Sequence, residues 1–105
     1  ASKSAIRGMT KSVACLSTQE KYGIRCNSVH PGNMETPMLR NMYNIVAEND
    51  PESAADLDKL WVGDPVDVAN MVLFLASDES RSVNGAAMVV DNTTTITEGA
   101  VPKPD

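Results

Sequence analysis

The chain has 105 residues, 42% of them hydrophobic and 22% charged, and carries a net charge of −5. This composition is typical of one small globular domain, and an acidic balance without a cluster of lysine and arginine argues against nucleic acids or anionic membranes as partners. No apolar run approaches the ~20 residues that cross a bilayer. Two cysteines, Cys15 and Cys26, are too few for a disulfide scaffold, so we expect them to be small buried side chains of a cytoplasmic protein.

The first stretch, ASKSAIRGMTKSVACLS, predicts a helix that is already under way at Ala1 and runs to about Gln19. Four apolar residues recur in it at helical spacing: Ile6, Met9, Val13 and Leu16. Gly23 is suited to the left-handed position that ends a helix. The next stretch, IRCNSVH at residues 24–30, predicts a strand that the following Pro-Gly pair terminates.

Residues 33–62 are less regular and predict two short helices, TPMLRNMYNIVAEN and ESAADLDKLW, separated at Asp50 and Pro51. Segments of this length between regular elements are often binding loops or lids. Their flexible apolar and aromatic side chains suit a substrate pocket, although ordinary packing accounts for the same residues equally well. These side chains are Met34, Met38, Met42, Tyr43 and Trp61.

The stretch DPVD at residues 64–67 is a strong helix start. Its first aspartate can cap free N–H groups, its proline suits the first turn, and its second aspartate lies at the positive end of the helix dipole. An apolar face follows: Val68, Met71, Val72 and Leu75. The run AAMVVD at residues 86–91 predicts a buried strand of the kind found in parallel sheets. We expect residues 98–105 to form a flexible tail, because this segment is rich in proline and charge.

The predicted order of helix, strand, irregular helical segment, helix and strand indicates an α/β layer with right-handed crossovers. Two strands with their helices make a poor complete domain, because an apolar strand edge would be left unpaired. We therefore expect that further structure is needed on the N-terminal side of this chain.

Four motifs in this order resemble the C-terminal part of a short-chain dehydrogenase/reductase over residues 1–97: ASKSAIRGMTKSVACLS, YGIRCNSVHPGNMETPM, GDPVDVANMVLFLASDES and VNGAAMVVD. The resemblance implies a single Rossmann-type domain, of which this chain would hold the last two strands of a doubly wound parallel sheet with their flanking helices. It also implies a nicotinamide cofactor, NAD or NADP, and a Tyr-x-x-x-Lys pair at the active site. Lys3 fits the lysine, and the tyrosine would stand two positions before Ala1. The glycine-rich cofactor loop, the catalytic serine and the usual asparagine would lie further upstream.

The resemblance gives Lys3 both a catalytic and a cofactor-binding role. It implies contact with the ribose hydroxyls and a lowered pKa of the tyrosine, because a nearby ammonium favours the ionised form of a phenol whose ordinary pKa is about 10. Without the resemblance, Lys3 would be interpreted as part of a charged helix face with Arg7 and Lys11.

A turn at the carboxyl end of a parallel strand is where doubly wound folds bind ligands, and glycine there permits close backbone approach. The resemblance implies that this turn meets the carboxamide side of the cofactor, while a simple strand-ending turn is the alternative interpretation. The residues concerned are Pro31, Gly32, Asn33, Met34 and Thr36.

The substrate that the resemblance implies is a small molecule, a secondary alcohol or ketone, in particular a hydroxysteroid or a cyclic alcohol. We expect it to bind in an apolar pocket. The candidate pocket residues are Met38, Met42 and Trp61. The only histidine, His30, is expected to be non-catalytic, and no spacing of cysteine and histidine predicts a metal site.

Two functions are consistent with these residues. The first is an NAD(P)-dependent oxidoreductase that is a homo-oligomer, dimer or tetramer, when full length. The alternative is a non-catalytic truncated chain that only packs against or associates with full-length subunits. Because the tyrosine lies outside the sequence, we expect no dehydrogenase activity from residues 1–105 alone. Family members also often carry Asp-Gly-Gly after the last strand, where glycine helps a tight turn near subunit contacts, and this chain has Asp91-Asn92-Thr93 there.

Overall fold

The computed structural model describes residues 2–97 and 101–104, and the side chains of Ser2 and Lys3 lie outside that description. The elements in chain order are α1 (Ser2–Gln19), β1 (Ser28–Pro31), α2 (Pro37–Asn49), α3 (Pro51–Leu57), α4 (Pro65–Ala76) and β2 (Ala87–Val90), with a 3₁₀ turn at Asp78–Ser80. The four predicted helices and both predicted strands are confirmed, and the strands are shorter than expected.

Strands β1 and β2 form a two-stranded parallel sheet. The Gly85 N–H donates to the Cys26 carbonyl at 2.8 Å, and the Ser28 N–H donates to the Ala86 carbonyl at 2.9 Å, so both strands advance in the same direction. The predicted α/β class with parallel strands is therefore confirmed.

The chain divides into two compact units, which are described separately below. The first comprises Ala1–His30 and Val68–Val90, and the second comprises Pro31–Asp67 and Asp91–Asp105. The extent of a single domain over residues 1–97 stays a prediction.

In the first unit, the segment before β1 is held by side chains instead of a regular ladder. The Cys26 N–H donates to Asn84 Oδ1 at 3.0 Å, and the Ala86 N–H donates to Asn27 Oδ1 at 3.0 Å. The Ile24 N–H donates to Ser17 Oγ at 3.3 Å. Because these partners replace main-chain carbonyls, the strand begins at Ser28 and not at the predicted residue 24.

Helix α1 ends in a Schellman motif, with the Tyr22 N–H donating to the Ser17 carbonyl at 3.0 Å and the Lys21 N–H donating to the Thr18 carbonyl at 3.3 Å. The left-handed residue of this motif is Lys21, with φ of 56°. The helix ends where Lys21-Tyr22-Gly23 was predicted to stop it, and Gly23 has the predicted positive φ, of 72°. Gly23 lies one residue beyond the motif, so Lys21 and not Gly23 occupies the left-handed position that ends the helix.

Small residues, and not the apolar stripe, form the buried face of α1: Thr10, Ala14 and Ser17. The four apolar residues of the predicted stripe are all exposed, from Val13 at 44% to Met9 at 67%. Cys15 is also exposed and Cys26 is half-buried, so the prediction of a buried side chain is wrong for Cys15. No helix within residues 2–97 and 101–104 combines the length and the apolar character that crossing a membrane requires.

Arg25 closes the carboxyl end of α4. Its guanidinium donates to the Leu75 carbonyl at 2.9 Å, to the Val83 carbonyl at 3.2 Å and to the Ser77 carbonyl at 3.3 Å. The fully buried Ser80 donates its hydroxyl hydrogen to the same Leu75 and Ser77 carbonyls, each at 3.0 Å. A cation at this end also complements the negative pole of the helix dipole.

In the second unit, α2 packs against α3, and local caps begin both helices. Thr36 Oγ1 accepts the Leu39 N–H at 3.3 Å, with Pro37 in the first turn. Asp50 accepts the Ser53 hydroxyl hydrogen at 2.7 Å, and this hydrogen bond lowers the pKa of the Asp50 carboxyl. These are the residue types expected at helix N-termini.

Part of the predicted flexible tail is held by main-chain hydrogen bonds. The Trp61 N–H donates to the Val101 carbonyl at 2.7 Å, the Lys103 N–H donates to the Lys59 carbonyl at 2.9 Å, and an antiparallel bridge joins Leu60 to Pro102. Residues 98–100 and 105 lie outside the described part of the chain.

Candidate functional site

In the second unit, the turn at Gly32 lies close to the backbone of Asp91. A Cβ added at Gly32 would lie 2.8 Å from Asp91 Cβ and 3.0 Å from Asp91 Cα. No side chain can be accommodated between two backbones at that separation, so Gly32 is needed here for packing within the protein. This close approach to Asp91 is a structural role that sequence reasoning did not identify.

Met34 lies in the same turn and forms a parallel bridge with Gly63. The hydrogen bonds of the bridge use the neighbouring groups: the Gly63 N–H donates to the Asn33 carbonyl at 2.8 Å, and the Glu35 N–H donates to the Gly63 carbonyl at 2.7 Å. In such a bridge the N–H and C=O of the central residue point away from the partner strand. The main-chain donor and acceptor of Met34 are therefore directed away from Gly63.

Thr36 is half-buried, and its hydroxyl oxygen caps α2. A hydroxyl that accepts one hydrogen bond still has a hydrogen to donate, so this cap leaves Thr36 able to bind a second partner. Asn33 is exposed, and Pro31 ends β1. Among the described residues, the turn thus places one main-chain N–H and C=O pair without a hydrogen-bond partner and one hydroxyl hydrogen within three residues.

A cavity of about 230 Å³ lies in the second unit, beside this turn. Its apolar lining includes Leu39, Met42, Tyr43, Leu57, Leu60 and Trp61. Two of the three predicted pocket residues, Met42 and Trp61, thus line this cavity. The third, Met38, is not among the lining residues and is 82% exposed.

Four charged residues also line this cavity, and they form two ion pairs. Arg40 Nη2 lies 2.8 Å from Glu35 Oε1, and Lys103 Nζ lies 3.5 Å from Asp58 Oδ1. The guanidinium carbon of Arg40 lies 5.7 Å from the centroid of the Tyr43 ring, a cation–π distance that holds the guanidinium at the rim.

Sequence reasoning missed these charged residues. Lys103 lies in a segment that its composition assigns to a tail, and only a non-local backbone pairing brings it to the cavity. The alternating prolines around it were the available signal, because proline is tolerated at the edge of a sheet where its missing N–H is not needed.

Two residues discussed from the sequence lie elsewhere. Lys3 is in the first turns of α1, and the position of its side chain lies outside the described part of the chain. His30 Nε2 lies 2.7 Å from Ser28 Oγ, so the imidazole forms a hydrogen bond within β1.

Comparisons with known proteins match almost the whole chain. A family model described as Enoyl-(Acyl carrier protein) reductase matches residues 1–95. The NADP-dependent (R)-specific alcohol dehydrogenase of Lentilactobacillus kefiri is 38% identical over 91 residues, which are 87% of this chain and 35% of that protein. The 3-alpha-(or 20-beta)-hydroxysteroid dehydrogenase of Mycobacterium bovis is 42% identical over 94 residues, which are 90% of this chain and 32% of that protein.

Solved structures of short-chain dehydrogenases also match most of this chain. The crystal structure of a short chain dehydrogenase family protein from Francisella tularensis matches with a TM-score of 0.77 and 33% identity, over 90% of this chain and 42% of that one. The chain spans about a third of the length of the curated relatives it matches.

Proposed function

This chain belongs to the short-chain dehydrogenase/reductase family, and on that premise we propose that it is part of an NAD(P)-dependent oxidoreductase acting on a secondary alcohol or ketone. The observation that carries the proposal is the turn after β1, whose free main-chain pair at Met34 and hydroxyl at Thr36 lie beside an apolar cavity. We further propose that residues 1–97 are the C-terminal portion of one Rossmann-type domain.

The turn fits the chemistry of a nicotinamide. A carboxamide carries one acceptor oxygen and an N–H₂ donor, and the N–H and C=O of Met34 offer the complementary pair. Thr36 can donate its hydroxyl hydrogen, while Gly32 and Asn33 complete the turn around these groups. When bound, the nicotinamide supplies or accepts the hydride. Both NAD and NADP satisfy this part of the proposal.

Lys3 is the proposed catalytic residue of this chain. Its ammonium would favour the ionised form of a tyrosine placed four residues earlier, a spacing of about one helical turn. A phenol with a lowered pKa can transfer a proton to or from the substrate oxygen near neutral pH. Lys3 would also hold the ribose hydroxyls of the cofactor.

The apolar cavity supports a cyclic or otherwise bulky secondary alcohol or its ketone as the substrate. Such cavities bind ligands mainly by burying apolar surface, with few polar groups to orient the reacting oxygen. The names of two relatives, an alcohol dehydrogenase and a hydroxysteroid dehydrogenase, agree with this substrate class.

The test is a turnover assay with cyclic ketones and either NADH or NADPH, in a protein that carries a tyrosine four residues before Lys3. We expect Lys3→Ala to reduce kcat/KM by roughly a hundredfold or more, the size of a lost general acid–base contribution. Lys11→Ala is the matched control on the same helix, since Lys11 Nζ contacts only the Gly85 carbonyl among the described residues, at 3.2 Å. Equal rates for the two variants would contradict the role of Lys3.

The 105-residue chain alone, which has no such tyrosine, should give no turnover.

The second candidate function, a non-catalytic chain that associates with full-length subunits, is favoured by the exposed apolar stripe of α1. The same surface supports the proposal of a homo-oligomer. We also propose a cytoplasmic location, which the two free thiols of Cys15 and Cys26 support.

A further inference from the structure

The cavity beside the turn has no net charge of its own. Glu35 pairs with Arg40 and Asp58 pairs with Lys103, and the remaining lining is mostly apolar. A charged ligand entering it would lose hydration without finding an unpaired counter-charge, and burying an unpaired charge is costly. A ligand without charge avoids that cost.

Lys103 is the residue of the segment 101–104 that lines this cavity. Residues 101–103 pair with Lys59 and Trp61 through two main-chain hydrogen bonds of 2.9 Å and 2.7 Å. This pairing carries Lys103 to the cavity, where its ammonium lies 3.5 Å from Asp58 Oδ1. The segment therefore contributes one of the four charges of the lining.

The ion pair between Lys103 and Asp58 contributes little to folding, because both side chains are half exposed or more. Because the pair lines the cavity, it affects the charge that a ligand meets there. While the pair is intact, each charge is offset by its partner, and loss of either partner leaves the other charge without its counter-charge beside the cavity.

We infer that Lys103, which the pairing of residues 101–103 holds at the apolar cavity, is a specificity-determining residue that offsets the charge of Asp58 and so favours an uncharged ligand. The inference rests on the proposed function only for the nature of that ligand, an uncharged alcohol or ketone with an apolar body. Lys103 and Asp58 act here as determinants of charge selectivity, without contact with a reacting atom.

The test is a fluorescence titration of the purified 105-residue chain with three probes of similar shape. They are decalone, which is neutral, decalin carboxylate, an anion, and decalylamine, a cation. Trp61 is the only tryptophan of the chain and lines the cavity, so its emission reports on this site. We expect decalone to bind more tightly than either ion. A chain that ends at Ala100 should bind decalone at least about fivefold more weakly, because it lacks Lys103 and leaves Asp58 without its counter-charge in the cavity lining.

Two charge variants distinguish a change in charge selectivity from a general loss of binding. Asp58→Asn leaves Lys103 unpaired and should raise the affinity for the carboxylate, relative to decalone, by about fivefold. Lys103→Gln should raise the relative affinity for the amine to a similar extent. The matched controls are Asp56→Asn and Lys59→Gln, because this neighbouring ion pair, at 3.8 Å, does not line the cavity.

The control variants should leave both affinity ratios unchanged. If they shift the ratios as much as the cavity variants do, or if a folded chain ending at Ala100 binds decalone as tightly as the parent, the inference is wrong. Circular dichroism establishes whether each variant is folded, and the charge variants decide the question if the shortened chain is not. The titration contains no cofactor and uses the 105-residue chain, whereas turnover is measured in the protein that carries the tyrosine four residues before Lys3. Selective binding to the chain with no turnover by that protein contradicts the proposed function alone, and turnover by that protein with unselective binding to the chain contradicts this inference alone.

Discussion

Gly32 and Gly8 differ in the space available for a Cβ atom. At Gly32 an added Cβ meets Asp91 backbone at 3.0 Å, whereas at Gly8, in the exposed part of α1, nothing lies within 4 Å. We expect Gly32→Ala to lower the free energy of unfolding by about 1–3 kcal/mol, the usual cost of overpacking. Gly8→Ala should raise it by about 0.5–1 kcal/mol, because alanine loses less backbone entropy in a helix.

Urea denaturation of both variants measures these free energies. A neutral or stabilising Gly32→Ala would show that the two strand ends separate easily, in conflict with the contact described above.

Asn92 and Thr93 stand where the family often has two glycines, and both adopt positive φ, of 46° and 69°. The left-handed backbone costs a residue with a Cβ about 1–2 kcal/mol, whereas glycine has an extra entropy cost of about 0.4–1 kcal/mol from the unfolded chain. We therefore expect Thr93→Gly to stabilise the protein by about 0.5–1 kcal/mol.

Thr93→Ala is the control for this prediction. It removes the branched side chain but retains the Cβ that strains the backbone, so it should not share the gain in thermal stability. Equal melting temperatures of the two variants would contradict the role assigned to φ.

Asp91 begins the turn after β2 and orders it. Its Oδ2 accepts the Thr95 hydroxyl hydrogen at 2.6 Å and the Thr95 N–H at 3.0 Å. These bonds, the hydroxyl first, lower the pKa of the Asp91 carboxyl below its ordinary value of 3.8, although burial opposes them. A pKa lowered by folding stabilises the folded state above the unfolded pKa, and that stabilisation is lost as the pH falls through the folded pKa.

We therefore expect the free energy of unfolding to fall between about pH 6 and about pH 3, and to fall less in Asp91→Asn, which has no carboxyl to protonate. Denaturant titrations at the two pH values measure the difference. If the variant keeps the pH dependence of the parent, Asp91 does not contribute through its ionisation.

At the scale of elements, the features that the sequence predicts well are those that depend on neighbours along the chain. Asp64 Oδ1 accepts the Val66 N–H at 2.9 Å, and Thr36 caps α2, so both helix starts follow from a few adjacent residues. The end of α1 was harder to predict, because Lys21 occupies a left-handed position that usually selects glycine.

The buried face of α1 could not be predicted from periodicity. The spacing of Ile6, Met9, Val13 and Leu16 indicates an apolar stripe, but which face is covered depends on what packs against the helix. In the first unit that face is formed by Thr10, Ala14 and Ser17. The placement of Lys103 on the cavity depends in the same way on a pairing between distant parts of the chain.

At the scale of the whole molecule, the exposed apolar stripe on α1 predicts association between copies of this chain. Exposed apolar residues that lie next to one another on a surface mark interaction sites. We expect Met9→Glu to lower the sedimentation coefficient of the concentrated chain, because it places a charge in the stripe. Ser4→Glu adds the same charge on the opposite side of the helix and should have little effect.

Equal sedimentation of the parent and the Met9→Glu variant would place the interface elsewhere. The candidate turn and cavity belong to the second unit and α1 to the first, so substitutions on α1 change no residue of the turn or of the cavity lining.

The side-chain bonds that precede β1 also influence how the protein ages chemically. Asn84-Gly85 is an asparagine–glycine pair, in which the main-chain nitrogen of the second residue can attack the amide of the first and release ammonia. Here the Gly85 N–H is bonded to the Cys26 carbonyl at 2.8 Å, and the Asn84 amide binds both the Cys26 N–H, at 3.0 Å, and Thr18 Oγ1, at 3.2 Å. Both reacting groups are held in place while the strand is in register. Deamidation at Asn84 therefore requires this region to open, and its rate measures how often β1 and β2 separate.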